Sequence, residues 1–266
     1  MPGSAMRSRR ADPDESLGAV TDDAVLGGRL KLLQPARGHR AGHDAILLAA
    51  ACPSAKHAID LGAGIGTAGL ALLARDAAER VTLVEIDREL AALARQNAER
   101  NGYADRAEIV IADVARLDRS GGSGGLKSAS ADVVIANPPF NDPARHRASP
   151  DASRRRAHAA GSTMLDAWVR VAARLLKPGG SLVLIHRPEA IDAILAALAG
   201  RFGAAELIPI HPKPGAAAIR LVLRAKKSRR TPLSLLPGFV LADGKGMPSA
   251  AAEAVLRQAA PLLDPP

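Results

Sequence analysis

A chain of 266 residues with 47% hydrophobic content can bury one substantial core, which excludes disorder throughout. No apolar run approaches about eighteen residues and no charged-then-apolar leader opens the chain, so neither a membrane span nor a secretory signal is expected, and the location expected is cytoplasmic. The formal charge of +9 and an isoelectric point near 10.4 suit a polyanionic partner, nucleic acid before membrane, while the single cysteine, Cys52, allows neither an internal disulfide nor a thiolate metal cluster.

Residues 1–20 are polar, charged and aperiodic, and read as a flexible tail. Asp44 is a good N-cap for the apolar stretch 46–51, which reads as a helix packed ahead of the main domain. A repeating pattern follows: strand 58–61, helix 67–75, strand 81–85, helix 88–101 ending at Gly102, strand 108–112. The Gly and Ser cluster 120–125 is a flexible loop before the strand that ends in Asn137. After a long basic loop, 165–176 is a helix closed by Lys177, Pro178, Gly179 and Gly180; 181–185 is the next strand, and Pro188 opens a helix reaching about residue 202. Strands 207–211 and 218–224 are joined by a Pro-Gly loop without a helix, which predicts a hairpin. Such alternation means parallel βαβ units. The fold expected is therefore α/β: a Rossmann-like seven-stranded sheet, mostly parallel with a terminal antiparallel hairpin, in a domain spanning 21–230 followed by an extension, 231–266.

The apolar run 133–136 is closed by Asn137, Pro138, Pro139 and Phe140. Each proline fixes its φ and donates no N–H, and Pro138 pushes Asn137 out of the helical region, so an amide side chain and a bare carbonyl point outward together. A ring follows, in a chain with only three Phe, one Tyr and one Trp. Two carbonyls and a ring face suit a flat group carrying an NH2, hydrogen-bonded through both protons and stacked from one side. The same residues also read as an ordinary loop start, and this alternative stays open here.

At the first strand-to-helix turn stand Asp60, Leu61, Gly62, Ala63, Gly64, Ile65 and Gly66, where glycines let a ligand lie against the backbone. Gly64, Gly66 and Gly69 also spell the dinucleotide fingerprint, but a carboxylate at Asp60 disfavours a pyrophosphate at the helix N-terminus. S-adenosylmethionine carries no phosphate; its sulfonium, ammonium and ribose diol are all favoured by nearby carboxylate acceptors. Glu85, ending the second strand of the pattern, can take both ribose hydroxyls on its two oxygens, and Asp113, past the third, is placed to accept from an adenine amine. Strand-end acids are also often solvated loop residues or caps. The cofactor set is thus Asp60, Gly62, Ala63, Gly64, Gly66, Glu85, Ile86, Asp113, Val114 and Asn137.

These residues resemble class I S-adenosylmethionine-dependent methyltransferases of the branch whose fourth strand ends in Asn-Pro-Pro-Tyr/Phe, which modifies adenine N6, guanine N2 or glutamine amides. Within that branch, Arg40-Ala41-Gly42-His43-Asp44-Ala45-Ile46-Leu47-Leu48, Val84-Glu85-Ile86-Asp87, Asn137-Pro138-Pro139-Phe140, Leu176-Lys177-Pro178-Gly179-Gly180 and Leu184-Ile185-His186-Arg187 are similar to the valine-tRNA adenine-N6 methyltransferase family over about residues 26–258. Phe140 departs from the Tyr of several members; stacking survives, a hydroxyl role does not. The resemblance implies N6 methylation of an adenine in the anticodon loop of tRNA, and that the 40–44 segment folds over the cofactor with Asp44 near its methionine moiety.

An RNA substrate also needs phosphate contacts. Between Pro143 and Ser162, in the loop that follows the Asn-Pro-Pro-Phe motif, lie Arg145, Arg147, Arg154, Arg155 and Arg156, with His146 and His158, against a single acid, Asp151, so this loop is expected to border the mouth of the site. Lys226, Lys227, Arg229 and Arg230 read as protection of a strand edge against aggregation. His186 and His211 lack metal-ligand spacing, and no metal is expected. Methylation of a protein glutamine at N5, of RNA guanine at N2 or of a small molecule are the enzymatic alternatives; an inactive fold used for RNA binding is a non-enzymatic one. The sequence leaves the oligomeric state unknown.

Overall fold

The computed structural model describes residues 19–37, 42–117, 125–139 and 150–262, the side chains of 150–162 excepted. It opens with an antiparallel hairpin of β1 (Val20–Val25) and β2 (Leu30–Pro35). There follow α1 (His43–Ala50), β3 (Ala55–Leu61), α2 (Thr67–Ala74), β4 (Ala78–Glu85), α3 (Arg88–Arg100), β5 (Ala107–Ile111) and β6 (Ala131–Ala136). The second half comprises α4 (Pro150–Leu175), β7 (Leu176–His186), α5 (Ile191–Leu198), β8 (Phe202–His211), β9 (Arg220–Lys227), the two-residue strands β10 (Ser234–Leu235) and β11 (Phe239–Val240), and α6 (Ala250–Arg257).

The main sheet runs β5-β4-β3-β6-β7-β9-β8, with β10 and β11 lying in series along the outer edge of β8. Strands β3 to β7 are parallel, and β9 is antiparallel to both its neighbours. The seven expected strands and the terminal hairpin are present; the two short strands are additional. Alternation assigns the faces. Ile59, Leu61, Val134, Ala136, Leu182 and Leu184 pack under α4 and α5, whereas Ala58, Val133, Ile135, Val183 and Ile185 pack under α1, α2 and α3. Helices cover both faces, so these strands read as continuous apolar runs.

Several boundaries differ from the sequence reading. The N-cap of α1 is Gly42, with no side-chain capping bond; Asp44 sits inside the first turn. Helix α4 begins at Pro150, so 150–162, expected as loop, is helical. That stretch is rich in Ala and Arg, good helix formers, and has Pro at its first position, but its polarity hides it from a periodicity search. Lys177 to Gly180 belong to β7 at an irregularity in its pairing with β6. Residues 1–18 of the expected tail lie outside the described residues, and Val20 already begins β1.

The hairpin is fastened by α3. Asn97, fully buried, accepts the Leu33 N–H at 2.7 Å and donates to the Leu33 carbonyl at 3.0 Å and to the Ile65 carbonyl at 3.1 Å. One turn on, Asn101 accepts the Lys31 N–H at 2.9 Å and donates to the Lys31 carbonyl at 2.7 Å. Two amides four residues apart thus stand in for a neighbouring strand along β2. At the other end of the chain, Ala252 and Val255 of α6 are buried, Arg75 Nη2 donates to the Ala260 carbonyl at 2.6 Å, and the Leu262 N–H donates to the Ala50 carbonyl at 2.8 Å. Among the described residues no helix is long and apolar enough to cross a membrane.

Candidate functional site

In the strand order, the chain reverses direction of winding between β3 and β6, and the crevice beyond the carboxyl ends of these strands is where such sheets bind ligands. The pairing register also fixes which side chains meet there. Asp60 pairs with Ile135, so Asn137, two residues on, shares its face; Leu83 and hence Glu85 lie on that face too. Asp60, Glu85 and Asn137 therefore all project to the side of α1 and α2.

The turn between β3 and α2 is built by glycines. Gly62 has φ +68°, and an added Cβ would stand 2.5 Å from Trp168 Cη2, so the chain's single tryptophan packs closely against the turn. Gly64 has φ +56° with nothing within 4 Å of a Cβ position, leaving its outer side open. Asp60, 3% exposed, accepts the Gly69 N–H on Oδ2 at 2.9 Å, which satisfies a free donor in the first turn of α2. Burial pushes its carboxyl up to about 7; the Gly69 bond works against this, and the nearby Glu85 charge adds to it. Glu85 spans the turn from the other side. Its Oε2 accepts the Gly64 N–H at 2.7 Å, and its Oε1 accepts the N–H groups of Ile86 at 2.8 Å and Asp87 at 2.9 Å.

A cleft of about 140 Å³ is walled by Asp44 and Ala45 of α1, Asp60, the turn residues Gly62, Ala63 and Gly64, Leu90 of α3, and Asn137. Asn137 Oδ1 is buried and accepts no hydrogen bond from the described residues, an arrangement that costs about 1–3 kcal/mol unless a donor arrives. Asp44 is held by an ion pair, Arg220 Nε to Asp44 Oδ2 at 2.7 Å. Arg220, at the start of β9, was not singled out in the sequence; it lies 176 residues from its partner, and only the pairing of β9 with β7 brings it there.

Not every candidate joins this wall. Asp113 caps the 3-10 turn Val114–Arg116 by accepting the Ala115 N–H at 2.9 Å, and pairs with Arg116 at 3.3 Å. It and the buried Val114 stand past β5, two strands from β3, while Ile86 is 61% exposed between them and the turn. Pro138 is buried and Pro139 exposed. Phe140, Arg145 and Arg147, and residues 38–41, lie outside the described residues; Arg154, Arg155 and Arg156 fall on the first turns of α4, and their side chains are likewise outside the description.

The donor set fits S-adenosylmethionine. Acids at Asp44 and Asp60 suit a cationic centre, the open side of Gly64 admits a ligand against the backbone, and Ile86 offers an apolar surface beside the strand-end acid. Glu85 keeps capacity for one further donor on Oε2, since a carboxylate oxygen has two acceptor sites and Oε1 is full. That is narrower than the two-oxygen ribose contact expected from sequence. Among the described residues no group of three or more His, Cys, Asp or Glu is arranged to hold a metal ion.

Comparison with known proteins agrees with this chemistry. The family model described as methyltransferase small domain matches residues 42–211. A tRNA1(Val) (adenine(37)-N6)-methyltransferase from Porphyromonas gingivalis is 32% identical over 182 residues, covering 66% of this chain and 69% of that protein. One of the same name from Tolumonas auensis is 28% identical over 197 residues, covering 72% and 78%. The crystal structure of a protein from Agrobacterium tumefaciens, described as a predicted O-methyltransferase, superposes with a TM-score of 0.65 at 31% identity, covering 80% of this chain and 94% of that one.

Proposed function

The chain belongs to the methyltransferase small-domain family and is an S-adenosylmethionine-dependent methyltransferase, and from that premise we propose that it methylates the exocyclic N6 amine of an adenine in tRNA, in the anticodon loop. The observation that carries the reading is Asn137 Oδ1: a buried acceptor without a donor among the described residues, in the same cleft as the glycine turn. A hydroxyl substrate would bring one proton to this place. An exocyclic amine brings two, which suits Asn137 Oδ1 together with the adjoining Pro138 carbonyl.

S-adenosylmethionine, when bound, supplies a methyl group already activated on a sulfonium, so no strong base is required of the protein. Asp44, Asp60, Gly62, Ala63, Gly64, Gly66, Glu85, Ile86, Asp113 and Val114 are the residues proposed to hold it. What remains for the chain is orientation and electronic activation of the amine. An exocyclic amine delocalises its lone pair into the ring; accepting its two protons at Asn137 and Pro138 builds negative character on nitrogen and favours the tetrahedral geometry of attack. Phe140 is proposed to fix the plane of the base by stacking, worth about 1–3 kcal/mol. A base in folded RNA has to leave its stack to reach such a cleft, and Arg145, Arg147, Arg154, Arg155 and Arg156 are proposed to hold the flanking phosphates.

The test is direct. The protein, methyl-labelled S-adenosylmethionine and unmodified tRNA transcript should yield label in N6-methyladenosine after digestion to nucleosides. Label in a protein glutamine or in N2-methylguanosine would replace the substrate reading while leaving the methyltransferase assignment intact.

A further inference from the structure

The amino ends of the sheet strands, opposite the cleft, carry a cluster of cations that catalysis does not use. Lys226 and Lys227 end β9, and β9 is an interior strand: Lys226 pairs with Ser181 of β7 on one side and Gly203 of β8 on the other. Protection of a strand edge, the role expected from sequence, therefore does not apply to them. The chain beyond is held in place. The Ser228 N–H donates to the Arg201 carbonyl at 3.0 Å, the Ala204 N–H donates to the Thr231 carbonyl at 2.8 Å, and at Gly203 any Cβ would run into the Arg229 carbonyl. Arg229 and Arg230 thus project from fixed backbone, and both are exposed, as is Lys226.

The same end gathers further charge. Lys227 Nζ donates to the Leu176 carbonyl at 2.6 Å, where α4 passes into β7, and the exposed Lys127 sits on a turn tied to the end of α4 through the Ala129 and Ser130 N–H groups, each 2.9 Å from its acceptor. The acids near this end are each matched already: Asp132 pairs with Lys177 at 2.5 Å, Glu206 with Arg224 at 2.6 Å and Asp166 with Arg201 at 3.1 Å. The exposed Lys127, Lys226, Arg229 and Arg230 come in addition to these pairs, and cations held on a rigid frame attract a polyanion at long range. Phe202, the ring beside β9 among the described residues, is buried and offers no face for a base to stack on, so the contacts in view are to phosphates.

We propose that this end of the sheet is a second RNA-contacting surface, which holds backbone phosphates of a helical part of the tRNA remote from the modified base. The proposal rests on the tRNA reading above. The eight residues of β9 separate this surface from the catalytic end by about 26 Å at ~3.3 Å per residue, beyond the loop that carries the target base.

The experiment compares wild type with the triple variant Lys226→Ala/Arg229→Ala/Arg230→Ala on full-length tRNA transcript and on a short stem-loop that carries the target adenine. With full-length tRNA, the slope of log affinity against log salt should fall by roughly 0.7–0.9 per lost phosphate contact, and KM should rise with kcat unchanged. The stem-loop and S-adenosylmethionine should bind both proteins alike, and Arg229→Lys/Arg230→Lys should keep the wild-type slope. A wild type that methylates tRNA beside a triple variant with an unchanged slope overturns this surface alone. A wild type that neither binds nor methylates tRNA removes the substrate reading and the surface with it.

Discussion

Glu85 and Gly64, 21 residues apart, close the glycine turn from outside: Oε2 takes the Gly64 N–H at 2.7 Å while Oε1 is filled by the N–H groups of Ile86 and Asp87. The acid is thus a fastener of the turn before it is a ligand for anything. A neutral amide cannot repeat the pattern, because Gln has one acceptor end and one donor end.

Glu85→Gln is therefore expected to set its NH2 against a backbone N–H in either orientation, at a cost of about 1–3 kcal/mol for the donor left unpaired. Calorimetry should show S-adenosylmethionine affinity reduced by roughly tenfold or more, with far-UV circular dichroism unchanged. Wild-type affinity would mean that the turn holds its shape without this carboxylate.

The Asp44–Arg220 pair gives a second expectation. It joins the helix that walls the cleft to the hairpin end of the sheet, and both side chains are about three-quarters buried. Asp44→Asn and Arg220→Gln should each weaken cofactor binding and stability, and the double variant should lose less than the sum, with a coupling of order 1 kcal/mol. Strict additivity in urea unfolding would show that the two residues act separately.

The core of the fold was legible because buried parallel strands write themselves as apolar runs ended by Gly, Asp or Asn. The 58–61, 81–85, 108–112 and 133–136 runs all reappear in β3, β4, β5 and β6. Asp60, Glu85 and Asn137 were legible for the same reason, each being the polar residue at or near the end of such a run. What escaped depended on distant pairing. Nothing local marks β2, whose partner groups are Asn97 and Asn101 on α3, or Arg220, whose partner is Asp44. The start of α4 escaped because a polar Ala-Arg helix has no apolar stripe. Asp113 shows the reverse: an acid in the right place by sequence that the fold also uses as a cap.

Asn137 should separate function from stability. Its Oδ1 is buried without a donor among the described residues, so Asn137→Ala removes a group they leave unsatisfied, and the melting temperature should stay level or rise. Turnover should fall by roughly 10²-fold or more, the scale for one lost oriented polar partner, with cofactor affinity nearly unchanged. A variant that is both unstable and fully active would contradict each half of the argument.

Asp60 sets a pH dependence. Burial raises its carboxyl from 3.8 to about 7, so the native state holds a proton that the unfolded chain gives up near pH 4. The contribution of this group to stability is complete below pH 4, declines as pH rises, and levels off above pH 7. A cationic ligand in the cleft favours the ionised carboxylate. Binding should therefore release a proton below pH 7, and affinity for S-adenosylmethionine should climb from pH 5.5 to about 7 and then flatten. Asp60→Asn keeps an acceptor for the Gly69 N–H but cannot ionise, so its affinity should be lower and level across this range. Calorimetry in buffers of different ionisation enthalpy reads the proton directly; equal proton release by wild type and Asp60→Asn would assign the titration to another group.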